Sequence, residues 1–161
     1  MLITDFHCDL GWHDFSQSTR FCLLCNNSNE ILIISDQIIE QRDYHDKKEA
    51  ITWEQSEIRH YLNNGFFERF SSSDKERILT THNINADNPW YGSIGGADTF
   101  DRVFLLSLDE VVRSYFGDSS RLLDNPKQNQ RYWFDRKDAN NVKRTALFMD
   151  LHWWWWTRTP G

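Results

Sequence analysis

The chain has few of the residues that build the commonest small-protein motifs: three cysteines, three prolines and seven glycines among 161 residues. An odd cysteine count provides no disulfide framework, and the scarcity of proline and glycine argues against a long flexible linker. A glycine-rich phosphate loop, a nucleophile elbow and an HExxH helix are all missing. These absences remove the usual sequence signals of nucleotide, acyl-transfer and metalloprotease chemistry.

Positive charge and long hydrophobic runs are also lacking. The chain has 18 Lys and Arg against 24 Asp and Glu, a formal net charge of −6. An acidic chain lacks the basic surface that binds phosphate backbones, so we expect no nucleic-acid partner. The first ten residues hold no apolar run of signal-peptide length, and no window approaches 18 apolar residues. We therefore expect no membrane partner, and the cytoplasm is favoured, either for a whole protein or for a piece of a larger one.

Aromatic residues, in contrast, are abundant at 15% of the chain, and four tryptophans stand in a row at 153–156. Large aromatic side chains bury about 150–250 Å² each, so this run carries roughly 600–1,000 Å² that soluble proteins rarely leave open to water. On a strand, Trp153 and Trp155 would face one side and Trp154 and Trp156 the other. At least one pair is expected to be core, and the other could form a platform for a sugar ring or an aromatic partner.

Length and 39% hydrophobic content predict a single domain over residues 1–161, beginning with an irregular segment of 20 residues. Two apolar runs around an Asn/Ser-rich gap predict a β-hairpin in residues 21–35. Capping boxes that begin at Thr52, Ser73 and Ser107 predict three helices, and the pair Asn64-Gly65 predicts the end of the first.

Four blocks of the sequence, in order, resemble one bacterial family. The first block, TWEQSEIRHYLNNGF at 52–66, resembles that family's TWxxSxLRxWLNxxF signature, and the resemblance continues over 70–78. DRVFLLSLDE at 101–110 resembles DKVFLLSxDE, and WWTRTPG at 155–161 resembles WWLRSPG. The family is known only as domain of unknown function 6273, and the resemblance covers about residues 21–161.

The family is similar to the C-type-lectin-like fold, in its formylglycine-generating-enzyme branch. The resemblance implies an α+β domain with two main helices flanking small, twisted antiparallel sheets, and it implies binding more readily than catalysis. Family members usually continue past the Pro-Gly through further strands. The resemblance therefore also implies a copy truncated at the C-terminus, whose final strands are missing and whose uncapped edge is open to association.

We predict a non-catalytic binding or structural module that recognises a glycan or a protein surface. The predicted ligand contacts are Trp154, Trp156 and Arg158, with the loop at 80–96 as a wall of the site. Arg158 has a second interpretation, a structural ion pair with Asp109 or Glu110.

Two alternatives remain from other classes: an enzyme related to formylglycine-generating oxidases, and a truncated copy without function. The enzyme would need a reactive, copper-binding cysteine pair. Cys22 and Cys25 lie on the first predicted strand, where positions three apart face opposite ways, and this argues against the enzyme.

The remaining polar clusters do not have the spacing of a known site, so we predict no catalytic residue, no metal and no cofactor. We considered acid–base carboxylates, a calcium loop and an N-terminal zinc cluster. The residues concerned are, in that order, Asp98 and Asp101; Asn83, Asn85, Asp87 and Asn88; and His7, Cys8 and His13.

Overall fold

The structure is a computed structural model that describes residues 2–3, 21–27, 30–116 and 141–161. Apart from Leu2–Ile3, which forms a short strand, the predicted irregular segment at 1–20 lies outside the described residues, and so does the His7, Cys8 and His13 cluster.

Short antiparallel strands form three small sheets in the described part of the chain. The first sheet has the order β1-β3-β2, and the other two are β4-β5 and β6-β7. Their bounds are β1 Leu2–Ile3, β2 Phe21–Asn27, β3 Glu30–Ser35, β4 Thr81–Asn83, β5 Thr99–Asp101, β6 Ala146–Phe148 and β7 Leu151–Trp153. The predicted hairpin at 21–35 is confirmed as β2 and β3.

A bulge interrupts β2. The pairing with β3 shifts its register between Leu23 and Cys25, and such a bulge breaks the strict alternation of faces along a strand. The argument that Cys22 and Cys25 face opposite ways therefore does not hold, and the side chains of both cysteines lie outside the described residues.

Helical structure is concentrated in one segment. Helix α1 (Glu57–Tyr61) continues as a π-helix at Leu62–Phe66 and a 3₁₀ turn at Phe67–Arg69. The other helical elements of the described chain are short: a 3₁₀ turn at Trp53–Gln55, helix α2 at Ser72–Arg77, a π-helix at Glu110–Tyr115 and a 3₁₀ turn at Asn141–Arg144. The chain is thus a mixed α+β structure, in which one sustained helical segment stands where two main helices were expected.

The helix ends differ from their sequence predictions in two of three cases. Thr52 makes no side-chain cap; Ser56 caps α1 instead, because its Oγ accepts a hydrogen bond from the amide of Arg59 at 3.3 Å. Likewise Ser71, rather than Ser73, caps α2 through the amide of Asp74 at 3.1 Å. In both cases the true cap is a neighbouring serine, which a spacing rule alone does not distinguish.

The third capping box is confirmed. The amide of Glu110 donates to Ser107 Oγ at 3.2 Å, and the amide of Ser107 donates to Glu110 Oε2 at 2.7 Å. The predicted stop at Asn64-Gly65 is wrong, since the helix runs on to Arg69. Gly65 lies inside the π-turn, where a Cβ would meet the ring of Tyr61 at 3.3 Å.

Strand β3 lies between two hydrophobic cores. Leu32 packs in one core, and its neighbours Ile31 and Ile33 pack in the other, as the alternation of a strand requires. The first core contains Leu32, Trp90, Leu106, Leu108, Val111 and Val112. The second contains Ile31, Ile33, Phe66, Phe67, Phe70 and Ile78.

A single buried carboxylate joins the helical segment to the second sheet. Asp101, at the end of β5, is 1% exposed, and five side chains donate hydrogen bonds to its two oxygens. The donors are Trp53 Nε1 at 3.0 Å, Arg59 Nε at 2.7 Å, Asn63 Nδ2 at 3.3 Å, Asn83 Nδ2 at 3.0 Å and Thr99 Oγ1 at 2.6 Å. A carboxylate withdrawn from water is stable only with such full compensation.

Replacing Asp101 by asparagine should lower the free energy of unfolding by about 3 kcal/mol, because Arg59 loses its counter-charge and the new amide group faces donors. Urea unfolding followed by tryptophan fluorescence measures the change. The matched control is Asp109→Asn, which breaks an exposed pair with Arg113 and should cost less than about 0.5 kcal/mol. Equal losses in the two variants would contradict this role of Asp101.

The turn between β6 and β7 stores backbone strain. Its two central residues, Met149 (φ 49°) and Asp150 (φ 62°), both lie in the left-handed region, as a type I′ turn demands. Asp150→Gly should therefore raise the free energy of unfolding by about 0.5–1 kcal/mol, since glycine adopts this φ without steric cost. Met149→Ala, which keeps a Cβ at positive φ, should give no gain in the same denaturation series. A stabilisation by both variants would show that side-chain identity, not backbone geometry, limits the turn.

Candidate functional site

The tryptophan run does not alternate as predicted. Strand β7 ends at Trp153, so the next three residues leave the sheet. Trp155 alone packs against the first core, and its Nε1 donates to the carbonyl of Arg144 at 2.8 Å. The expected split into one buried and one exposed pair is therefore wrong, because the strand is too short to impose its two faces on all four rings.

Trp154 and Trp156 form an exposed pair. Their ring centroids lie 5.1 Å apart at an interplanar angle of 82°, with 64% of Trp154 and 40% of Trp156 exposed. Trp156 is held from two sides: its Nε1 donates to the carbonyl of Arg42 at 3.0 Å, and its ring meets Tyr44 at 5.8 Å. The pair is thus an oriented aromatic surface rather than two independent side chains.

A cavity of about 890 Å³ opens beside this pair. It runs between the end of β3, the segment at 36–43, the helical segment and the tryptophan run. Apolar side chains form much of its wall, including Tyr61, Phe66 and Phe70. Its volume lies in the range of small-ligand sites.

Charged groups line the cavity next to the tryptophans. Glu40 accepts from Arg42 Nε at 3.2 Å and from Arg69 Nη1 at 3.1 Å, while the Arg42 guanidinium lies 3.6 Å from the centre of the Tyr61 ring. Burial raises the pKa of Glu40, but hydrogen bonds with Tyr61, Arg42 and Arg69 outweigh it and leave the pKa below its ordinary value. The hydrogen bond to Glu40 raises the pKa of Arg42. Both groups are therefore charged at neutral pH.

Tyr44 connects the cavity to the C-terminal segment. Burial raises the pKa of Tyr44 to about 12, so its hydroxyl stays neutral, and this hydroxyl donates to the carbonyl of Arg158 at 3.3 Å. The ring of Tyr44 therefore contacts Trp156, while its hydroxyl binds the backbone of Arg158, two residues further along the C-terminal segment.

Arg158 is buried in the ion pair that was one of its two sequence interpretations. Its guanidinium binds Glu110 through both carboxylate oxygens, at 2.5 and 3.0 Å, and donates to the carbonyl of Leu105 at 3.0 Å. Asp109, the other candidate partner, pairs with Arg113 instead. Arg158 therefore holds the tail on the first core; direct contact with a ligand stays a prediction and would require this pair to open.

The loop at 80–96 does not line the cavity. Its polar side chains hold the loop and the tail together: Asn88 Nδ2 donates to the carbonyl of Pro160 at 2.6 Å, and Ser93 Oγ to that of Gly161 at 2.8 Å. Asn85 Nδ2 donates to the carbonyl of Ala97 at 2.7 Å. The loop is a framework for the C-terminal segment rather than the predicted wall of this cavity.

Asp98 and Asp101 do not form a pair of catalytic carboxylates. Asp101 is saturated by its five donors, whereas Asp98 lies at the surface, accepts from the amide of Asn85 at 3.0 Å and lies 3.2 Å from His82 Nε2. Asp101 is therefore fully occupied by donors and Asp98 alone is an exposed carboxylate, so the two do not provide the paired acid and base that such chemistry needs.

One group of side chains in the described residues has the proximity of metal ligands: His45, Asp46 and Glu57, with ligand atoms within 4.8 Å of one another. His45 Nε2 lies 3.2 Å from Glu49 Oε1, and its buried Nδ1 has no hydrogen-bond partner. If Nε2 bound a metal, Nδ1 would carry a proton with no acceptor, whereas metal-bound histidines nearly always donate that proton. The arrangement fits a hydrogen-bonded imidazole better than a metal site.

Residues 28–161 match the family model described as Domain of unknown function (DUF6273). The chain belongs to this family. No curated protein and no solved structure matches it. Among the described residues, no helix has the length and apolarity to cross a membrane. In this DUF6273 chain, the blocks that carried the resemblance meet in two places: Trp53, Arg59 and Asn63 on Asp101, and Arg158 on Glu110.

Sequence reasoning missed three residues of the site: Glu40, Arg42 and Tyr44. They lie in a charged, irregular stretch without a motif. The one feature of this stretch that could have indicated a packed position is the aromatic Tyr44 among charged neighbours. Arg42 and Tyr44 contact residues 114 positions away, and Glu40 binds Arg69, 29 positions away, so no local pattern marks them.

The acid limb of the stability curve should depend on Glu40. Its pKa in the folded protein lies below the ordinary 4.5, so its stabilising contribution is fully present above that pH and is lost as pH falls through the lower, folded-state pKa. Glu40→Gln should therefore reduce the loss of stability below about pH 4.5, as measured by thermal unfolding across pH. The control is Glu68→Gln, which removes an exposed pair with Lys75 and should change the free energy of unfolding by less than about 0.5 kcal/mol. An identical acid limb in Glu40→Gln and the unaltered protein would contradict the assignment.

Proposed function

We propose that this domain is a non-catalytic binding module of C-type-lectin-like fold that recognises a glycan with Trp154 and Trp156. The observation that carries the proposal is the exposed, oriented pair of indoles beside a cavity with charged groups. Small antiparallel sheets next to one sustained helical segment support the fold assignment.

The aromatic pair suits the apolar faces of sugar rings. Trp154 offers the more exposed ring, and Trp156 meets it nearly edge-on. Because Trp156 is already held by Arg42 and Tyr44, binding would cost little side-chain ordering. Indoles that keep their position before the ligand arrives are the usual contribution of tryptophan to recognition.

The charged groups suit sugar hydroxyls. Glu40 supplies acceptors and Arg42 supplies donors, and both line the cavity together with Asp43. Hydrogen bonds to ionised groups are stronger than neutral ones, and a few such groups in a largely apolar cavity fix the orientation of a ligand. Arg158 contributes indirectly, since its ion pair with Glu110 anchors the segment that carries both indoles.

Trp154→Ala should weaken glycan binding by about tenfold or more, because it removes the most exposed ring of the pair. A glycan array with the full chain identifies a ligand, and titration calorimetry then compares the variants. Trp156→Phe should give an intermediate loss, since it keeps an aromatic face but loses the hydrogen bond to the Arg42 carbonyl. The control is Tyr91→Ala, which removes an exposed aromatic that does not line the cavity. Absence of any glycan binding, or unchanged binding by Trp154→Ala, would overturn the proposal.

A further inference from the structure

Strand β7 has one edge that is unpaired among the described residues. Its partner β6 is bonded on both sides: Ile38 donates to the carbonyl of Leu147 at 2.8 Å, and Leu147 donates to that of Asp36 at 3.2 Å, on the side away from β7. Leu147 lies opposite His152 in the β6-β7 ladder. Since backbone groups alternate in direction along an antiparallel ladder, the amide and carbonyl of His152 point away from β6. In the described residues, no strand pairs with β7 on that side.

We propose that this edge is a self-association surface at which a second copy of the chain pairs its own β7 antiparallel to the first. In this arrangement the two-fold axis passes between the two His152 residues, which exchange both backbone hydrogen bonds. Leu151 of each copy then lies opposite Trp153 of the other. The inference goes beyond glycan recognition, because it uses the edge of β7 rather than the pair of Trp154 and Trp156.

The side chains of this edge are complementary to themselves. Leu151 and Trp153 share one face of β7 and are 62% and 42% exposed. The same face carries Phe148, whose ring packs edge-on against Trp153. In a symmetric pair each leucine would cover an indole and each indole a leucine, at the distance of directly opposed residues. The contact between leucine and tryptophan therefore occurs twice, once on each side of the axis, as an isologous interface requires.

A second copy accounts for this surface better than an unrelated strand does. The free edge of a three-residue strand offers the donor and acceptor of His152 alone, so backbone pairing gives any partner only two hydrogen bonds. The rest of the binding free energy has to come from side-chain contacts. The side chains that complement Leu151 and Trp153 are present on a second copy of the same chain. The carboxylate of Asp150 would not meet a second carboxylate across the axis, since Asp150 would lie opposite Trp154.

The exposed area matches a weak, reversible dimer. Together with Met149 in the adjoining turn, Leu151 and Trp153 leave roughly 400 Å² of mostly apolar surface open on each copy. Two copies would bury about 800 Å², an area that fits a weak, transient interface. Patches of this size on soluble proteins usually mark interaction sites.

Sedimentation velocity of the full chain, from about 5 to 500 µM, tests the proposal. The mass should rise from 19.3 kDa towards twice that value as concentration increases. Leu151→Glu places a carboxylate against each opposing indole, and His152→Pro removes the only outward amide on an edge that tolerates proline. Each variant should weaken self-association at least tenfold.

Phe100→Glu is the matched control, since Phe100 is a comparably exposed apolar side chain on β5, and it should associate like the unaltered chain. Leu151→Glu changes an exposed side chain and should keep the far-ultraviolet circular dichroism of the unaltered chain, so it decides the outcome even if His152→Pro misfolds. A chain that stays monomeric at every concentration would overturn the proposal. Unchanged association of Leu151→Glu, or of folded His152→Pro, would overturn it as well, and so would equal weakening by Phe100→Glu.

Discussion

The buried carboxylate of Asp101 is the constraint on which the rest of this structure depends. It takes donors from the turn before α1, from the helical segment and from both strands of the second sheet. The cost of removing this charge from water is offset by donors from separate parts of the chain. These parts must therefore fold together. The helical segment fixed in this way carries Tyr61 and Phe66, and Phe70 directly after it, to the cavity wall, so a carboxylate that does not itself line the cavity shapes it.

The buried ion pair of Arg158 with Glu110 likewise joins separate parts of the chain. It joins the C-terminal segment to the π-helix at Glu110–Tyr115, and the capping box of Ser107 already holds that glutamate. The residues that mark this chain as a DUF6273 domain therefore account for its architecture. Of the groups that would contact a ligand, Trp156 lies inside these blocks, whereas Glu40, Arg42 and Trp154 lie outside them.

Local patterns in the sequence predicted the features whose causes are local. The hairpin of β2 and β3 and the box at Ser107 follow from spacing, and charge narrowed the partner of Arg158 to Asp109 or Glu110, of which the structure has Glu110. Two predictions failed. The helical segment runs on through Gly65, where the ring of Tyr61 lies 3.3 Å from the position of a Cβ, and the tryptophan run leaves the sheet after Trp153. The cavity joins residues 36–43 to residues 153–156, a contact that no sequence window contains.

The position of β3 between two cores has a consequence for how the domain comes apart. Adjacent residues of one strand are committed to opposite apolar interiors, so heat or denaturant cannot melt one interior while the other keeps its full set of contacts. Opening either side withdraws the shared strand and leaves the remaining leucine, isoleucine and phenylalanine surfaces facing water. Such a strand acts as a common wall, and it couples the two interiors into one cooperative unit despite the smallness of each sheet.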